Sequence, residues 1–551
     1  MPKPHAVLTE AHGRAETTLR TQATGRVVVP RVLLRGGIIC APSVPAATAM
    51  FTVDSQIVWL GDDDTASTYA DTADLVVELD GKLVTPGFVD AHVHLAQTGF
   101  ALQALDLSAS LSLADALAQL ATFARGHVGA VLFGHGWDES RWPEGRAMTI
   151  IEVDAAVGDQ AAYLGRVDAH SGVVSSALVR QQPDVVDCDG WHGDGVVERD
   201  AHHAVRDVTA RLRSAADRRH ALQVALARAA ASGITSLHEV NAPHISPVGD
   251  FALLRDMAAA TAIPEVVPYW GSAFGEGIPA DAATFGFAGD LCVDGSIGSR
   301  TASLHAPYAD ADTCGHLYLS ADQVRDHVVF CSQRNTQAGF HVIGDLGMHT
   351  VVAGLTAAAE IVGDTALIRS RHRLEHAEMI DPEQIAALAR LGVVASVQPA
   401  FDAAWGASGQ LYEQRLGLAR AYPMNPFASM RRAGVTLAFG SDSPVTTLDP
   451  WAAMRAAVFH HNVDERLTVE AAFDAHTRGG HRARRDDAGG VLEVGAEASY
   501  AVWDVAPDAR GAGRVPGEAT RLPQLHPDLP LPRCVHAVAS GAVVFATEDA
   551  L

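Results

Sequence analysis

Lysine is almost missing from this chain of 551 residues: Lys3 and Lys82 are the only two, and every other basic side chain is arginine. Basic charge as a whole is scarce, with 41 Lys plus Arg against 65 Asp plus Glu and a formal charge of −24. That balance argues against nucleic acid or an anionic membrane surface as the main partner. Cysteine is sparse and scattered, at Cys40, Cys188, Cys292, Cys314, Cys331 and Cys534. None forms a C-x-x-C pair and the six make no disulfide framework, so a reducing, cytoplasmic location is expected. No uninterrupted apolar run approaches the roughly 18 residues of a membrane span. The first 25 residues are polar and mixed in charge, without the apolar segment of a signal peptide. What remains is ordinary globular composition, 48% hydrophobic and 19% charged, which excludes a mostly disordered chain.

The pattern along the chain divides it. Residues 1–25 carry no period and read as a loose tail. Residues 26–85 hold short β-rich runs (Val27–Val29, Val32–Leu34, Met50–Val53, Ile57–Leu60, Leu75–Leu79) separated by Gly, Pro and Asp, as in a small antiparallel sheet. The stretch 488–551 has the same texture, with strands at Ala498–Val505 and Val535–Phe545 around a Pro-rich loop from Pro516 to Pro532. The two ends therefore predict one small β-sandwich built from both termini. Between them, 86–487 alternates strands and helices. Ser320 to Gln323 is a capping box ahead of a helix that Gly339 is placed to end, and Asp381-Pro382 with Gln384 opens another that Gly392 closes. Eight strand runs follow: Gly87–His94, Ile234–Glu239, Glu265–Trp270, Asp290–Asp294, Phe340–Ile343, Arg373–Glu378, Val393–Val397 and Leu437–Asp442. They fit an α/β chain folded as a (β/α)₈ TIM-like barrel. Residues 100–205, with extra strands at Ala130–Gly134 and Ala162–Val167, read as an insertion over the barrel mouth.

Histidine and aspartate recur where those strands end. The ends carry His92 and His94, His238 and Glu239, Asp290 and Asp294, His341, His376 and Asp442. In a parallel barrel all such ends lie on one face, where active sites are built. In Asp90-Ala-His92-Val-His94, alternation puts both histidines on one side of the strand, roughly 7 Å apart at Cα, so their rings can converge on one cation. Imidazole suits zinc and several other first-row ions. A water activated by such an ion needs a nearby carboxylate base, which gives Asp442, in Phe439-Gly-Ser-Asp442-Ser-Pro444, more weight than a loop cap.

The ordered set resembles the amidohydrolase superfamily, and more closely the YtcJ-like branch that includes N-substituted formamide deformylases. The resemblance rests on Pro86-Gly-Phe-Val-Asp-Ala-His92-Val-His94, Gly136-Trp137-Asp138, Arg166-Val-Asp-Ala-His170 and Gly233-Ile-Thr-Ser-Leu-His238. It continues in Asp294-Gly-Ser-Ile-Gly-Ser-Arg300-Thr-Ala302, His341-Val-Ile-Gly-Asp345, Arg373-Leu-Glu-His376-Ala-Glu378, Ser396-Val-Gln-Pro399 and Gly440-Ser-Asp-Ser-Pro444. It implies a barrel with a flanking β-sandwich and one or two divalent ions. By position it makes His92, His94, His341 and His376 metal ligands. Asp442 becomes the catalytic base and a further ligand candidate, and His376 an alternative polariser of the substrate carbonyl. Trp137, Asp138 and His170 in the insertion, and Arg300 in a Gly-Ser loop, become substrate-binding candidates, with packing and a loop salt bridge as the competing readings.

One position departs from the pattern. Many binuclear members use a carboxylated lysine on the fourth barrel strand, and the position where this branch commonly carries lysine is here Asp290. Neither Lys3 nor Lys82 can substitute, so no carboxylated-lysine bridge is expected. Asp290, Cys292 and Asp294, read as sharing one strand face, and Glu239 are the candidates for bridging a second ion. One essential ion, zinc by preference, is favoured. The expected activity is hydrolysis of a non-peptide carbon–nitrogen bond of a small molecule. Ester, lactone or phosphoester hydrolysis, deamination, and a catalytically inactive metal-binding homologue stay open. A homodimer is a family-level expectation.

Overall fold

The apolar runs between 87 and 442 assemble into one parallel sheet. Its strands are β1 (Phe88–Val93), β2 (Ile234–Asn241), β3 (Glu265–Trp270), β4 (Gly286–Phe287), β5 (Gln337–Val342), β6 (Arg373–His376), β7 (Val394–Val397) and β8 (Thr436–Phe439). The computed structural model describes residues 20–21, 27–28 and 31–548, apart from 128, 140–141, 167–170, 244, 279–283 and 511–520. Sheet order follows chain order, and each neighbouring pair is parallel. Just beyond β8, the Asp442 N–H donates to His92 O (2.8 Å) and the His94 N–H to Ser443 O (3.0 Å). These bonds bring the sheet's edges together into a nearly closed eight-stranded barrel. Every residue of β1, β2, β6 and β7 is buried, as a sheet covered on both faces requires.

Most local signals act as expected. Ser320 and Gln323 cap Ala321–Gln333 reciprocally, and Asp381 and Gln384 do the same for Pro382–Leu391, which Gly392 ends at a left-handed φ of 66°. Gly339 does not end a helix: it lies inside β5. A Cβ there would stand 2.6 Å from Ala288 Cβ and 2.7 Å from Arg373 Cγ, so the glycine makes room for an arginine in the barrel interior.

The fourth strand also differs. It is β4, and the run 290–294 is not part of it. Gly289 turns the chain at a φ of 91°, where a Cβ would strike Val240. The chain then runs beside the C-terminal end of β5, with the His341 N–H donating to Leu291 O (3.1 Å) and the Val293 N–H to His341 O (2.9 Å). Asp290, Cys292 and Asp294 therefore share no strand face.

Both chain ends supply sheets. One has the strand order Gln56–Gly61, Ala49–Val53, Arg31–Arg35, Leu75–Glu78. It is mixed rather than antiparallel, because Leu75–Glu78 pairs parallel to Arg31–Arg35. The other runs Arg20–Thr21, Val27–Val28, Ala542–Ala546, Arg533–Ala539, Tyr500–Asp504, Leu83–Pro86, Ile38–Ile39. The run read as one strand at Val535–Phe545 is a hairpin, folded at Ser540-Gly541 where both φ are positive. Leu34, Met50, Ile57, Val84, Tyr500 and Val538 share a core between these sheets. Of the expected tail, 1–19 and 22–26 lie outside the described residues, as does 511–520 in and before the Pro-rich loop.

The barrel and these sheets belong to one compact unit, and Leu95–Ala225 forms a second. The second has its own five-stranded sheet, in the order Leu105–Asp106, Leu132–Trp137, Ala162–Arg166, Ser171–Val174, Val196–Glu198. Leu107, Leu120, Leu132, Trp137, Trp142 and Leu164 pack in its core. Among the described residues no single helix is long and apolar enough to cross a membrane.

Candidate metal centre

Asp90 and His92 lie on β1 and His94 just beyond its end, and their tasks differ. Asp90 accepts the N–H of His92 (3.2 Å) and of Ser441 (2.9 Å), tying β1 to the loop that carries Asp442. Burial raises its carboxyl to about 6 against those hydrogen bonds. The loop fits closely: a Cβ on Gly440 would stand 2.5 Å from the His92 nitrogen.

His92 and His94 present Nε2 to a common space. His92 Nε2 lies 3.5 Å from Asp290 Oδ1 and 3.4 Å from Asp442 Oδ1. His94 Nε2 lies 3.3 Å from Asp290 Oδ2 and 3.0 Å from Asp442 Oδ1. His376 joins His92 and Asp290 in a second group of converging donors. His341 stands beside it, its ring 4.5 Å from that of His376 and its Nδ1 3.8 Å from Asp290 Oδ1. Asp290 thus faces both groups, one oxygen towards His94 and the other towards His92 and His341.

The far nitrogen of each ring is anchored. Nδ1 of His92 donates to Glu375 Oε2 (2.9 Å), Nδ1 of His94 to Val240 O (2.7 Å), and Nδ1 of His376 to Gln398 Oε1 (2.7 Å). His341 uses Nε2 instead, towards Gly295 O (3.3 Å). In the neutral rings these bonds fix the tautomer and leave the lone pair of the near nitrogen facing the carboxylates, the arrangement of metal-ligating histidines.

Behind His92 sits a buried ion pair. Arg373 donates from Nε to Glu375 Oε1 (2.6 Å) and from Nη2 to Glu375 Oε2 (2.9 Å), to Ala91 O (2.6 Å) and to Ser396 Oγ (3.0 Å). Burial opposes ionisation of Glu375, but Arg373 and His92 outweigh it and hold the carboxyl well below its usual range. Arg373 Nη1 also donates to His238 Nδ1 (3.0 Å). His238, a strand-end histidine by sequence, is therefore an interior partner of Arg373, and burial with that cation depresses its basicity far below the usual value.

The field at the centre is strongly negative. Burial lowers the basicity of His94 and His341, yet Asp290, joined at His94 by Asp442, raises them to about 10 and about 9. His376, buried and beside His341, falls to about 4. His92 Nε2 and Asp290 Oδ1 are buried without a hydrogen bond. Donors arranged tetrahedrally at about 2.0–2.1 Å from a zinc-like ion stand about 3.3–3.4 Å apart. His92, His94 and Asp442 converge as one donor group, with Asp442 Oδ1 3.4 Å from His92 Nε2 and 3.0 Å from His94 Nε2, so this donor set fits a divalent cation. His376, Ala377 and Asp442 have positive φ (71°, 48° and 52°), backbone strain that clusters at functional sites.

The other candidates go elsewhere. Asp294 accepts the N–H groups of Ser303 (2.8 Å), Ile343 (2.9 Å) and Gly344 (2.8 Å), shaping the turn after β5. Cys292 is a half-buried thiol pushed up by desolvation and by Asp290 and Asp294. Glu239 is buried on β2 and acts on His94 through its charge. None of these three joins a converging donor group among the described residues. Trp137, in the second unit, is buried and donates from Nε1 to Leu164 O (2.9 Å), and Asp138 lies 3.6 Å from Arg166. Arg300 is bound by Asp310 through Nε (3.0 Å) and Nη2 (2.7 Å). His170 lies outside the described residues. Sequence reasoning missed Glu375, Arg373 and Gln398 as supports, although Arg373-Leu-Glu-His376 and Ser396-Val-Gln398 stood among the quoted motifs.

The model described as the amidohydrolase family matches residues 75–545. The Bacillus subtilis protein YtcJ is 26% identical over 447 residues, covering 73% of this chain and 80% of its own. The N-substituted formamide deformylase of Arthrobacter pascens is 25% identical over 478 residues, covering 78% of this chain and 84% of its own. In fold, a metal-dependent hydrolase from Pyrococcus furiosus superposes with a TM-score of 0.71 at 24% identity, over 87% of this chain and 99% of that one.

Proposed function

Since the chain belongs to the amidohydrolase family, we propose that it is a metal-dependent hydrolase that cleaves a non-peptide carbon–nitrogen bond, of amide type, in a small molecule. The observation that carries this reading is the convergence of His92 and His94 on Asp442, with Asp290 facing them. The donors that would hold the ion are His92, His94 and Asp442, and His376 and Asp290, with His341 beside them, form the adjoining group. A bound divalent cation, zinc by preference, would act as a Lewis acid on water and on a carbonyl.

The chain's own residues do the rest. Asp442 stays ionised, because burial is outweighed by His92 and His94, so its carboxylate can take a proton from the attacking water. The same carboxyl can return that proton to the departing nitrogen. His376, turned by Gln398, faces the centre with its near nitrogen unprotonated, since its basicity is depressed to about 4. It can serve as a ligand but is a poor proton donor near neutral pH. Arg373 keeps Glu375 charged, and Glu375 keeps His92 in the tautomer that offers Nε2.

The test is Asp442→Asn, assayed on a panel of formamides and other small amides with bound metal counted alongside. The expected loss in kcat is about 10²–10⁴-fold. If most activity survives with metal in place, the role given to Asp442 is wrong. Turnover of esters, lactones or phosphoesters, or release of ammonia, with no amide cleaved would move the reaction to another bond on the same residues.

A further inference from the structure

A second cluster of metal-ligating side chains lies apart from the six residues above. Asp402 sits in the helix Pro399–Trp405, and His460 and His461 follow the helix Pro450–Val458. One ligand atom from each lies within 4.8 Å of the others. Asp402 Oδ1 is 3.2 Å from His460 Nε2 and in close contact with His461 Nδ1. Asp402 and His460 are buried, and His461 is nearly so.

Two features of this cluster bear on a metal ion there. First, the outer atoms are all held by main chain. His461 Nε2 donates to Tyr422 O (3.0 Å), His460 Nδ1 lies 3.2 Å from Asn462 O, and Asp402 Oδ2 accepts the His461 N–H (3.1 Å). With Nε2 of His461 donating, its Nδ1 reaches the carboxylate as an N–H donor in the protonated ring, and in the neutral ring as a lone pair that a bound cation would join to Asp402. His460 Nε2, fully buried, points at the same oxygen and makes no hydrogen bond. Second, Gly406 packs directly against the donors. A Cβ on Gly406 would stand 2.5 Å from Asp402 Oδ1 and 2.8 Å from His461 Nδ1.

We propose that Asp402, His460 and His461 form a second divalent-cation site, distinct from the proposed reaction centre. Two imidazole nitrogens and one carboxylate oxygen suit zinc and its first-row neighbours rather than magnesium or calcium. The ion would join the two segments. It would also stiffen the support of His376, because Gln398 immediately precedes the Asp402 helix and Phe401 stacks on the His376 ring at 5.9 Å between ring centres and 10° between planes. This would make it a structural staple with an effect on the first centre through His376.

The competing account is a proton shared by His461 and Asp402, with His460 a neutral neighbour whose Nδ1 accepts the Asn462 N–H (3.1 Å). Metal counting separates the two. The full chain is stripped, reloaded with Zn²⁺, dialysed and analysed for zinc. The same is done for His92→Ala/His94→Ala, and for both proteins carrying His461→Ala or Gly406→Ala. Gly406 has ordinary helical φ and ψ, so alanine there crowds Asp402 Oδ1 and His461 Nδ1 without a φ/ψ penalty or loss of charge. The His92/His94 variant should keep about one ion per chain and lose it when either further substitution is added. In the wild-type background each should lower the count by about one, and the zinc-induced rise in melting temperature should shrink with it. Zinc counts that neither His461→Ala nor Gly406→Ala changes, in either background, overturn the proposal. A count that His92→Ala/His94→Ala leaves unchanged would instead count against the first centre and leave this one standing.

Discussion

Glu375→Gln tests the support of His92 most directly. The substitution keeps shape and an acceptor oxygen but removes the charge. Arg373, fully buried, would keep Ala91 O, Ser396 Oγ and His238 Nδ1 as partners and lose its bound carboxylate. Removing one partner of a buried ion pair costs about 3–5 kcal/mol. His92 would keep a hydrogen bond at Nδ1 but to a neutral amide, and loss of such an outer partner lowers metal affinity about 10–100-fold, or about 1.4–2.7 kcal/mol. Stability is read from urea titration of the metal-free protein and affinity from zinc competition with a chelator. The double substitution Arg373→Met/Glu375→Met separates the two effects. It leaves no unpaired charge, so its stability should recover most of the loss, while zinc affinity stays low because His92 still lacks its acceptor. A Glu375→Gln protein within about 0.5 kcal/mol of the wild type, with unchanged zinc affinity, would refute the reasoning.

Three further predictions rest on the same centre. In metal-free protein the raised values of His94 (about 10) and His341 (about 9), against an ordinary 6.5, mean that their contribution to stability is complete below about pH 6.5 and is lost as pH rises through 9 to 10. Melting curves of metal-free and zinc-loaded protein should therefore diverge between pH 7 and 10, and a constant gap would contradict the field assigned to Asp290 and Asp442. Asp290→Asn should lower zinc affinity by about tenfold or more, since Asp290 faces both His94 and His341; unchanged affinity would put it outside the ion's reach. Gly440→Ala should cost about 1–3 kcal/mol through overpacking and reduce zinc retention as well, because its Cβ would press on the main chain of His92; a stable, fully loaded variant would argue that the loop is free to move.

Much of the barrel was legible because periodicity and turn chemistry act locally. The capping boxes at Ser320 and Asp381 and the strand β3 stand at their expected positions. The errors arise where tertiary packing overrides a local sign. Gly339 looks like a helix stop, yet its small size serves Arg373 across the barrel. The run from Asp290 to Asp294 alternates as a strand would, but Gly289 turns the chain before it, and the paired strand is only Gly286–Phe287. The terminal run Val535–Phe545 contains its own hairpin turn at Ser540-Gly541, a signal that the apolar residues around it masked.

For the site, residue type was readable and partnership was not. Histidine and aspartate at strand ends announce ligands because few other roles gather them on one face. Whether a given carboxylate joins them depends on where its neighbours' amides point. Asp294 is held by three N–H groups from residues 303, 343 and 344, whereas Asp290, four residues earlier, faces the imidazoles of His92, His94 and His341. Nothing local separates the two; the bend at Gly289 and the turn after β5 do. The same holds for Glu375, whose charge is fixed by Arg373, two residues before it on β6. β6 thus offers a ligand candidate in His376 and an anchor for His92 in Glu375, so one strand of four residues serves two of the histidines at once.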